Sequence, residues 1–567
     1  MKKYKAATPE DTVNKIKMIL SEAQIPIKDM ICGDGDMFCS YRLAISENDD
    51  FSIGTNGKGM TPSYAQASAY AEMMERFQNR IIIYPNPANY NSKFVFFPDE
   101  SRKTLQSEEA EQLIKRFTPR VLPKEGLDID SFECIFVPFF HVNSKITEKI
   151  PYSLVRWVNG SNGMCAGNIP EEALIQGFNE IFERYCLQEL YLKELTPPNI
   201  PKSVFEGTDI LVNLERIKNE YGMDYQIKDC SLGEGYPVIG LLIYSPDRSK
   251  YIMHIGADLC PKVALERCFT ETFQGCTART FDFENNINSP DSLDLFNEFK
   301  RSLVYGTGRM PEAFFNEHPS YPYLEHSSIN EGNDFKEDLS NIISWLINKG
   351  YDIYIRDNSF LKFPTYHICV PGLSDIDKKF SKINSKIKEM KVTESTINPL
   401  YRLPLLDEAE LKTAIDLLEN MEKDTIKLFP RNNNKNNNVN RLLILMLLYY
   451  KTEDDASTLR SLDQYIKQKE DKNQPVKKYY YAIKALLEGY PMPQTPDKEW
   501  LIARSFLQNR NEALTTTPLP TCFECNKCSI KEGCRYQFIL NIEHKTQIAM
   551  ANNSLKQSDL THLLSKK

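Results

Sequence analysis

The sequence predicts an α+β core over residues 1–404, an all-α, tetratricopeptide-like module over 405–515 and a cysteine-rich tail over 516–567. Three observations carry this division. Short β-branched and aromatic runs at 134–142, 238–244, 251–255, 351–356 and 366–370 are interspersed with helix-period segments, the pattern of a mixed sheet-and-helix core. Around residue 400 the strand signals stop and amphipathic helices follow one another. Four cysteines, Cys522, Cys525, Cys528 and Cys534, then crowd into thirteen residues.

Composition narrows the class. A chain of 567 residues is long enough for several domains, and 41% apolar with 26% charged residues is an ordinary globular balance. The formal net charge of −8 gives no electrostatic footprint for nucleic acid or an anionic membrane. The opening MKKYKAATPEDTV lacks the apolar core of a signal peptide, and the longest apolar run, 442–450, is shorter than the ~20 residues that span a bilayer. The default expectation is a cytoplasmic protein whose scattered cysteines are buried small hydrophobes.

Element by element, Thr8 and Pro9 open the first helix as N-cap and first helical residue. A short strand near 51–53 runs into Thr55-Asn56-Gly57-Lys58-Gly59. Its glycines would let backbone N–H groups approach an anion, with Lys58 on a phosphate, or would serve a tight strand-to-helix turn. Thr61 and Pro62 repeat the cap signal for the second helix, and strand candidates follow at 93–97 and 134–142. The small-residue stretch 161–168 precedes a helix with Pro170 in its first turn, where Asn168 and Glu171 read as a capping-box variant. Cys165 lies in that stretch, but no His stands near it in sequence to make it a nucleophile.

Beyond 400, segments 405–429 and 442–465 read as helices separated by the asparagine run 432–438, a flexible surface loop, and 476–488 and 498–507 continue the pattern. A clean 34-residue signature is missing, yet paired helices would offer a concave surface for a protein partner.

A polar stripe recurs on three helices. Ser68, Glu72, Glu75 and Arg76 form the first, Gln176, Glu180, Glu183 and Arg184 the second, and Arg267, Glu271 and Gln274 a looser third. Residues at i, i+4 and i+7 share one helix face, and the other faces here are apolar. A single copy would be read as a solvated face. Two copies with identical spacing, carrying acid, amide or hydroxyl and one Arg instead of scattered Lys, point to a ligand. Converging carboxylates suit Mg2+ and neighbouring guanidinium groups suit phosphates, so the stripes imply a Mg-nucleotide site between helices, built without a P-loop.

The three motifs NGKGMTPSYAQASAYAEMMERF, SNGMCAGNIPEEALIQGFNEIFERY and VALERCFTETFQG together resemble the signature of the YcaO superfamily, over about residues 1–400 and most closely its stand-alone type. The resemblance implies an ATP/Mg2+ site formed by Ser68, Glu72, Glu75, Arg76, Gln176, Glu180, Glu183 and Arg184, with the four glutamates on the metal. It also implies that Lys5 and Thr12 lie near the nucleotide. Where the family often has Arg after the Gln-Gly of the third helix, this chain has Cys276, and Arg279 one turn further on is the candidate to replace it. Without that replacement ATP turnover is in question.

The implied chemistry is ATP-dependent activation of a backbone amide by phosphoryl transfer to its carbonyl oxygen, followed by attack of a Cys, Ser or Thr side chain or of sulfide. No Pro-rich tail and no preceding peptide-clamp domain are read in the chain, features that favour the stand-alone type. That type implies an accessory role in β-methylthiolation of an aspartate in a small-subunit ribosomal protein, beside a radical-SAM methylthiotransferase. An azoline- or thioamide-forming enzyme acting on a ribosomally made peptide is the alternative, and a nucleotide-regulated scaffold is a third. A homodimer stays open. Separately, the consecutive Cys-x2-Cys steps from Cys522 to Cys534 resemble loops that wrap an iron–sulfur cluster, with Zn2+ as the second expectation.

Overall fold

The computed structural model describes residues 5–34, 37–47, 53–82, 96–119, 132–247, 249–272, 285–286, 294–305, 308–325, 327–376, 407–421, 424–427, 438–508, 510, 535–555 and 560–564. The chain opens with α1 (Pro9–Glu22), β1 (Ile27–Asp34), β2 (Cys39–Ile45), β3 (Gly54–Gly59) and α2 (Pro62–Gln78). Both expected caps form: Thr8 Oγ1 accepts from the Asp11 N–H at 3.1 Å, and Thr61 Oγ1 from the Tyr64 N–H at 3.4 Å. Strands β1, β2 and β3 make an antiparallel sheet in that order, on which α2 lies.

The Gly-rich stretch is therefore a strand and not a phosphate-cradling loop, a correction with a packing reason. Residues 54–59 pair in register with β2, and a Cβ on Gly57 would stand 1.9 Å from the Ala65 carbonyl oxygen and 2.4 Å from the Ala69 nitrogen. Only glycine lets the helix backbone approach so closely. Thr55 Oγ1 completes the seam by donating to the Ala69 carbonyl at 2.7 Å.

The second sheet is built from β4 (Ser101–Leu105), β5 (Phe132–His141), β6 (Ile146–Pro151) and β7 (Met164–Ala166), with α3 (Ser107–Phe117) and α4 (Tyr152–Asn159) between them. After α5 (Pro170–Leu192) and α6 (Asp209–Tyr221) come β8 (Asp224–Asp229), β9 (Val238–Tyr244), β10 (Lys250–Ala257), α7 (Pro261–Thr272) and β11 (Asn285–Asn286). Then α8 (Leu295–Tyr305), α9 (Phe335–Asn348), β12 (Tyr354–Asp357) and β13 (Thr365–Cys369) close the core. Strands β12 and β13 return to the second sheet, giving the order β4-β5-β12-β13-β7 with β6 beside β5, while β8 to β11 form a third sheet. The core is thus α+β. Residues 96 and 97 of the expected 93–97 strand are not in a strand, and 93–95 lie outside the described residues.

The helical region comprises α10 (Glu408–Glu419), β14 (Thr425–Lys427), β15 (Asn438–Asn440), α11 (Arg441–Lys451), α12 (Asp455–Asp471), α13 (Lys478–Leu487) and α14 (Lys498–Gln508). Each of its helices packs on the next in sequence, around an apolar core of their own that includes Leu418, Leu445, Leu462, Ile483 and Phe506. The expected 442–465 helix is two helices, broken where Glu453 takes a left-handed φ of 63°. The expected 405–429 helix stops at Glu419, and 425–427 pair as a strand. Of the asparagine run, Asn438 begins β15 and 432–437 lie outside the described residues.

The chain ends in α15 (Arg535–Ala551) and α16 (Leu560–Leu564). Ile539, Ile542 and Met550 of α15 enter the core formed by α1, α2 and the first two sheets, and Leu560 enters the neighbouring core around α5. The end of the chain thus returns to the first unit, which the sequence reading of a separate tail does not anticipate. Cys522, Cys525, Cys528 and Cys534 lie outside the described residues. Among the described residues, no helix is long and apolar enough to cross a membrane.

Candidate functional site

Each stripe occupies the open side of a mostly buried helix. Along α5 from Glu172 to Cys186, the half-buried positions are Gln176, Glu180, Glu183 and Arg184, and everything between them is buried. On α2, Ser68, Glu72, Glu75 and Arg76 are half-buried beside buried Ala65, Ala69, Met73, Met74 and Phe77. On α7, Arg267 and Glu271 are half-buried, joined by Glu266. Gln274, Cys276 and Arg279 lie outside the described residues.

Side chains tie these elements together. Arg267 Nη1 donates to Gln176 Oε1 at 2.7 Å, joining α7 to α5, and Lys58 of β3 pairs with Glu271 of α7. Strand β7 packs against both α2 and α5. Within the stripes, Arg76 Nη2 stands 3.3 Å from Glu72 Oε1, its Nη1 3.4 Å from Glu75 Oε1, and Arg184 Nε donates to Glu180 Oε1 at 2.8 Å.

The electrostatics show that α2 and α5 face one space. Burial, helped by the Glu180 and Glu72 charges and opposed by Arg76 and Arg184, pushes the Glu75 carboxyl up to about 8. Glu183 is raised by burial against the pull of Arg267, Lys58 and Arg184. Burial draws the Lys58 ammonium down to about 8, against the attraction of Glu183 and Glu72. Although burial disfavours its charge, Glu75, Glu72 and Glu180 hold the Arg76 guanidinium above its usual range.

Lys5 and Thr12 reach the other end of α5. Thr12 Oγ1 donates to Asn168 Oδ1 at 2.8 Å, and Lys5 Nζ stands 3.5 Å from Glu172 Oε1. The capping-box reading is corrected here. Helix α5 starts at Pro170 with Ile169 as N-cap, so Asn168 sits one residue too early, and its amide donates to Glu172 Oε2 at 3.3 Å instead. Glu172, which also accepts from the Ala6 N–H at 3.2 Å, was not singled out by the sequence. It lies one turn before Gln176, so extending the stripe by i−4 would have found it. His254 of β10 was also missed; burial and Lys58 pull its imidazole down to about 3, leaving it neutral.

Cys165 is no nucleophile in this setting. It is fully buried, its Sγ donates to the Tyr366 carbonyl at 3.8 Å, and burial with Glu75 and Glu180 nearby holds its thiol well above the usual range. Native Cys165 should resist alkylation, and Cys165→Ala should leave any nucleotide turnover of the wild type within about twofold. A loss of turnover without loss of folded protein would overturn this.

The family comparison decides the class. The family model described as YcaO cyclodehydratase, ATP- and Mg2+-binding, matches residues 56–374, which hold all three stripes. The chain belongs to the YcaO family. An uncharacterized protein of Haemophilus influenzae is 28% identical over 355 residues, covering 59% of this chain and 60% of that one. The ribosomal protein S12 methylthiotransferase accessory factor YcaO of Escherichia coli K12 is 26% identical over 340 residues, covering 57% of each. The matches thus span 60% and 57% of these relatives' lengths. Among solved structures, a heterocyclase in complex with substrate and cofactor gives a TM-score of 0.48 at 17% identity, covering 67% of this chain and 54% of that one. YcaO from Methanopyrus kandleri, bound with AMPPCP and Mg2+, gives 0.43 at 16%, covering 68% and 94%.

Among the described residues, no three His, Cys, Asp or Glu side chains are gathered closely enough to hold a metal ion; Glu72 and Glu75 pair with Arg76, and Glu180 with Arg184. The donor set nevertheless fits a hard cation. It is all oxygen, and the protonated state forced on Glu75 by burial and neighbouring acids is what added positive charge would relieve.

Proposed function

We propose that the space between α2, α5 and α7 binds Mg-ATP and serves to phosphorylate the carbonyl oxygen of a peptide or protein backbone amide. Glu72, Glu75, Glu180 and Glu183 would hold Mg2+. Arg76, Arg184 and Lys58 would meet the phosphates, and Lys5 and Thr12 would support the nucleotide from the α5 end. Ser68 and Gln176 complete the stripes, and Arg279 is the candidate for the missing third-helix guanidinium.

The observation that carries this reading is the joining of the stripes on α5 and α7 by the Arg267–Gln176 hydrogen bond at 2.7 Å, with Lys58 paired to Glu271 beside them and Glu75 of α2 buried within reach of the Glu180 charge. Solvated faces do not push a carboxyl to about 8. In the proposed step the amide oxygen attacks the γ-phosphorus, the bond to ADP breaks, and a nucleophile then adds to the activated carbon. Phosphate leaves with the substrate's own oxygen.

The E. coli relative's name supports a role as accessory factor in ribosomal-protein methylthiolation, for which the proposed partner is a radical-SAM methylthiotransferase. The word cyclodehydratase in the family description supports the azoline branch of the second reading, on a ribosomally made peptide, and a thioamide would form where sulfide is the nucleophile. The tetratricopeptide-like helices would receive the partner, and the cysteines at 522–534 would carry an iron–sulfur cluster or Zn2+. The test is isotopic. With a substrate labelled by 18O at the amide carbonyl, the label should appear in phosphate, in the presence of Mg2+ and ATP. Phosphate bearing only solvent oxygen would refute amide activation while leaving nucleotide binding standing.

A further inference from the structure

Resting on the Mg-ATP reading above, we propose that Glu543 of α15 is a positioning residue for the nucleotide site, acting through Arg80 at the end of α2. The two side chains form an ion pair, and each is 1% exposed. Arg80 follows the C-cap Asn79 and takes a left-handed φ of 58°, the conformation in which many helices end. Its guanidinium also lies over the Phe96 ring, 5.4 Å from the centroid.

Two neighbours anchor the same turn. Gln78 Nε2 donates to the Phe363 carbonyl at 2.8 Å and Gln78 Oε1 accepts from the Leu361 N–H at 2.6 Å. Asn79 Oδ1 accepts from Asn358 Nδ2 at 2.8 Å. All three residues, 78 to 80, are buried. A helix is stiff along its length, so fixing its last turn sets the rotation at which Glu72, Glu75 and Arg76 meet α5. The Ile81 N–H, which donates to the Arg76 carbonyl at 2.9 Å, carries the anchor directly to a stripe residue.

Gln78 and Asn79 are held by partners inside the family-matched region 56–374, whereas Glu543 comes from far outside it. Helix α15 is itself pinned to this unit. Lys545 Nζ donates to the Gln24 carbonyl at 3.0 Å, and Asn553 Nδ2, two residues past the helix, to the Phe360 carbonyl at 2.8 Å. A buried guanidinium that loses its carboxylate must turn or take up water, and either loosens the turn it belongs to.

The experiment compares the full-length protein with Glu543→Gln and with Met550→Ala, which removes an apolar contact from the same helix and leaves the ion pair. Mg-ATP affinity is measured by calorimetry and amide exchange by mass spectrometry. Glu543→Gln should weaken Mg-ATP binding about tenfold and speed exchange over residues 70–80, with α11 to α14 unchanged. Met550→Ala should lower the melting temperature and keep the affinity. Unchanged affinity and exchange in Glu543→Gln, or an equal loss of affinity in Met550→Ala, would overturn the proposal. If wild type binds no Mg-ATP, the functional reading fails, and the exchange data alone decide the coupling. Should Glu543→Gln not accumulate, exchange in wild type decides: residues 70–80 and 539–550 should open together, and independent opening refutes the coupling.

Discussion

Glu75→Gln is expected to weaken Mg-ATP binding at least ~100-fold, a loss of about 2.7 kcal/mol, while the protein remains soluble and folded. The neutral amide mimics the protonated carboxyl that burial and the neighbouring acids already favour, so the fold loses little. What is lost is the ability to become an anion when a cation arrives. The sign with pH follows. The carboxyl rises from 4.5 to about 8 in the native state, so between those values the folded protein holds a proton that the unfolded chain has released. Stability of the ligand-free protein should therefore fall as pH rises through that window, and Glu183, shifted the same way, should add to the fall. Above about 8 the depressed Lys58 contributes in the opposite sense. Glu75→Gln should flatten the slope below 8, and in wild type at pH 7 the binding of Mg2+ with ATP should release protons, visible in buffers of differing ionisation enthalpy. An unaltered affinity, or aggregated protein, would show that Glu75 is structural.

Gly57→Ala should cost about 3 kcal/mol or more of stability. Its methyl would meet the backbone of α2, at the Ala65 carbonyl and the Ala69 nitrogen, and no rotamer change relieves a clash with backbone. Whatever folds should hold α2 away from β3 and bind Mg-ATP poorly. A melting temperature within the error of wild type would contradict the close seam. Normal stability with lost ATP binding would restore the phosphate-loop reading of the Gly-rich stretch.

The residues that were legible in the sequence share a property: their chemistry repeats at helical spacing. The α2 and α5 stripes could be read because acid and Arg recur at identical intervals on helices that are otherwise apolar. The α+β character followed from runs such as 238–244, which is β9 to the residue. Lys58 was singled out from a loop that is a strand, because glycine signals equally a turn and a close packing seam. Glu172 reads as an ordinary first-turn acid, the commonest place for one, and only the i−4 extension of the α5 stripe marks it. The Arg80–Glu543 pair could not be read at all. Arg80 follows the polar Gln78 and Asn79, Glu543 stands beside His544 and Lys545, and 463 positions separate the two, so nothing local marks either as a partner.

That separation has a consequence in time. A ribosome adds about 5–20 residues per second, so on the order of 23–93 s pass between the synthesis of Arg80 and that of Glu543. Throughout that interval the nascent first unit carries a guanidinium whose carboxylate does not yet exist, and an apolar groove that still awaits Ile539, Ile542 and Met550. The helical module is made in the meantime and, having its own core, can fold while it waits. The first unit is therefore begun first and completed last, and a chain truncated before α15 leaves Arg80 and that apolar groove without their partners however intact the rest of the sequence.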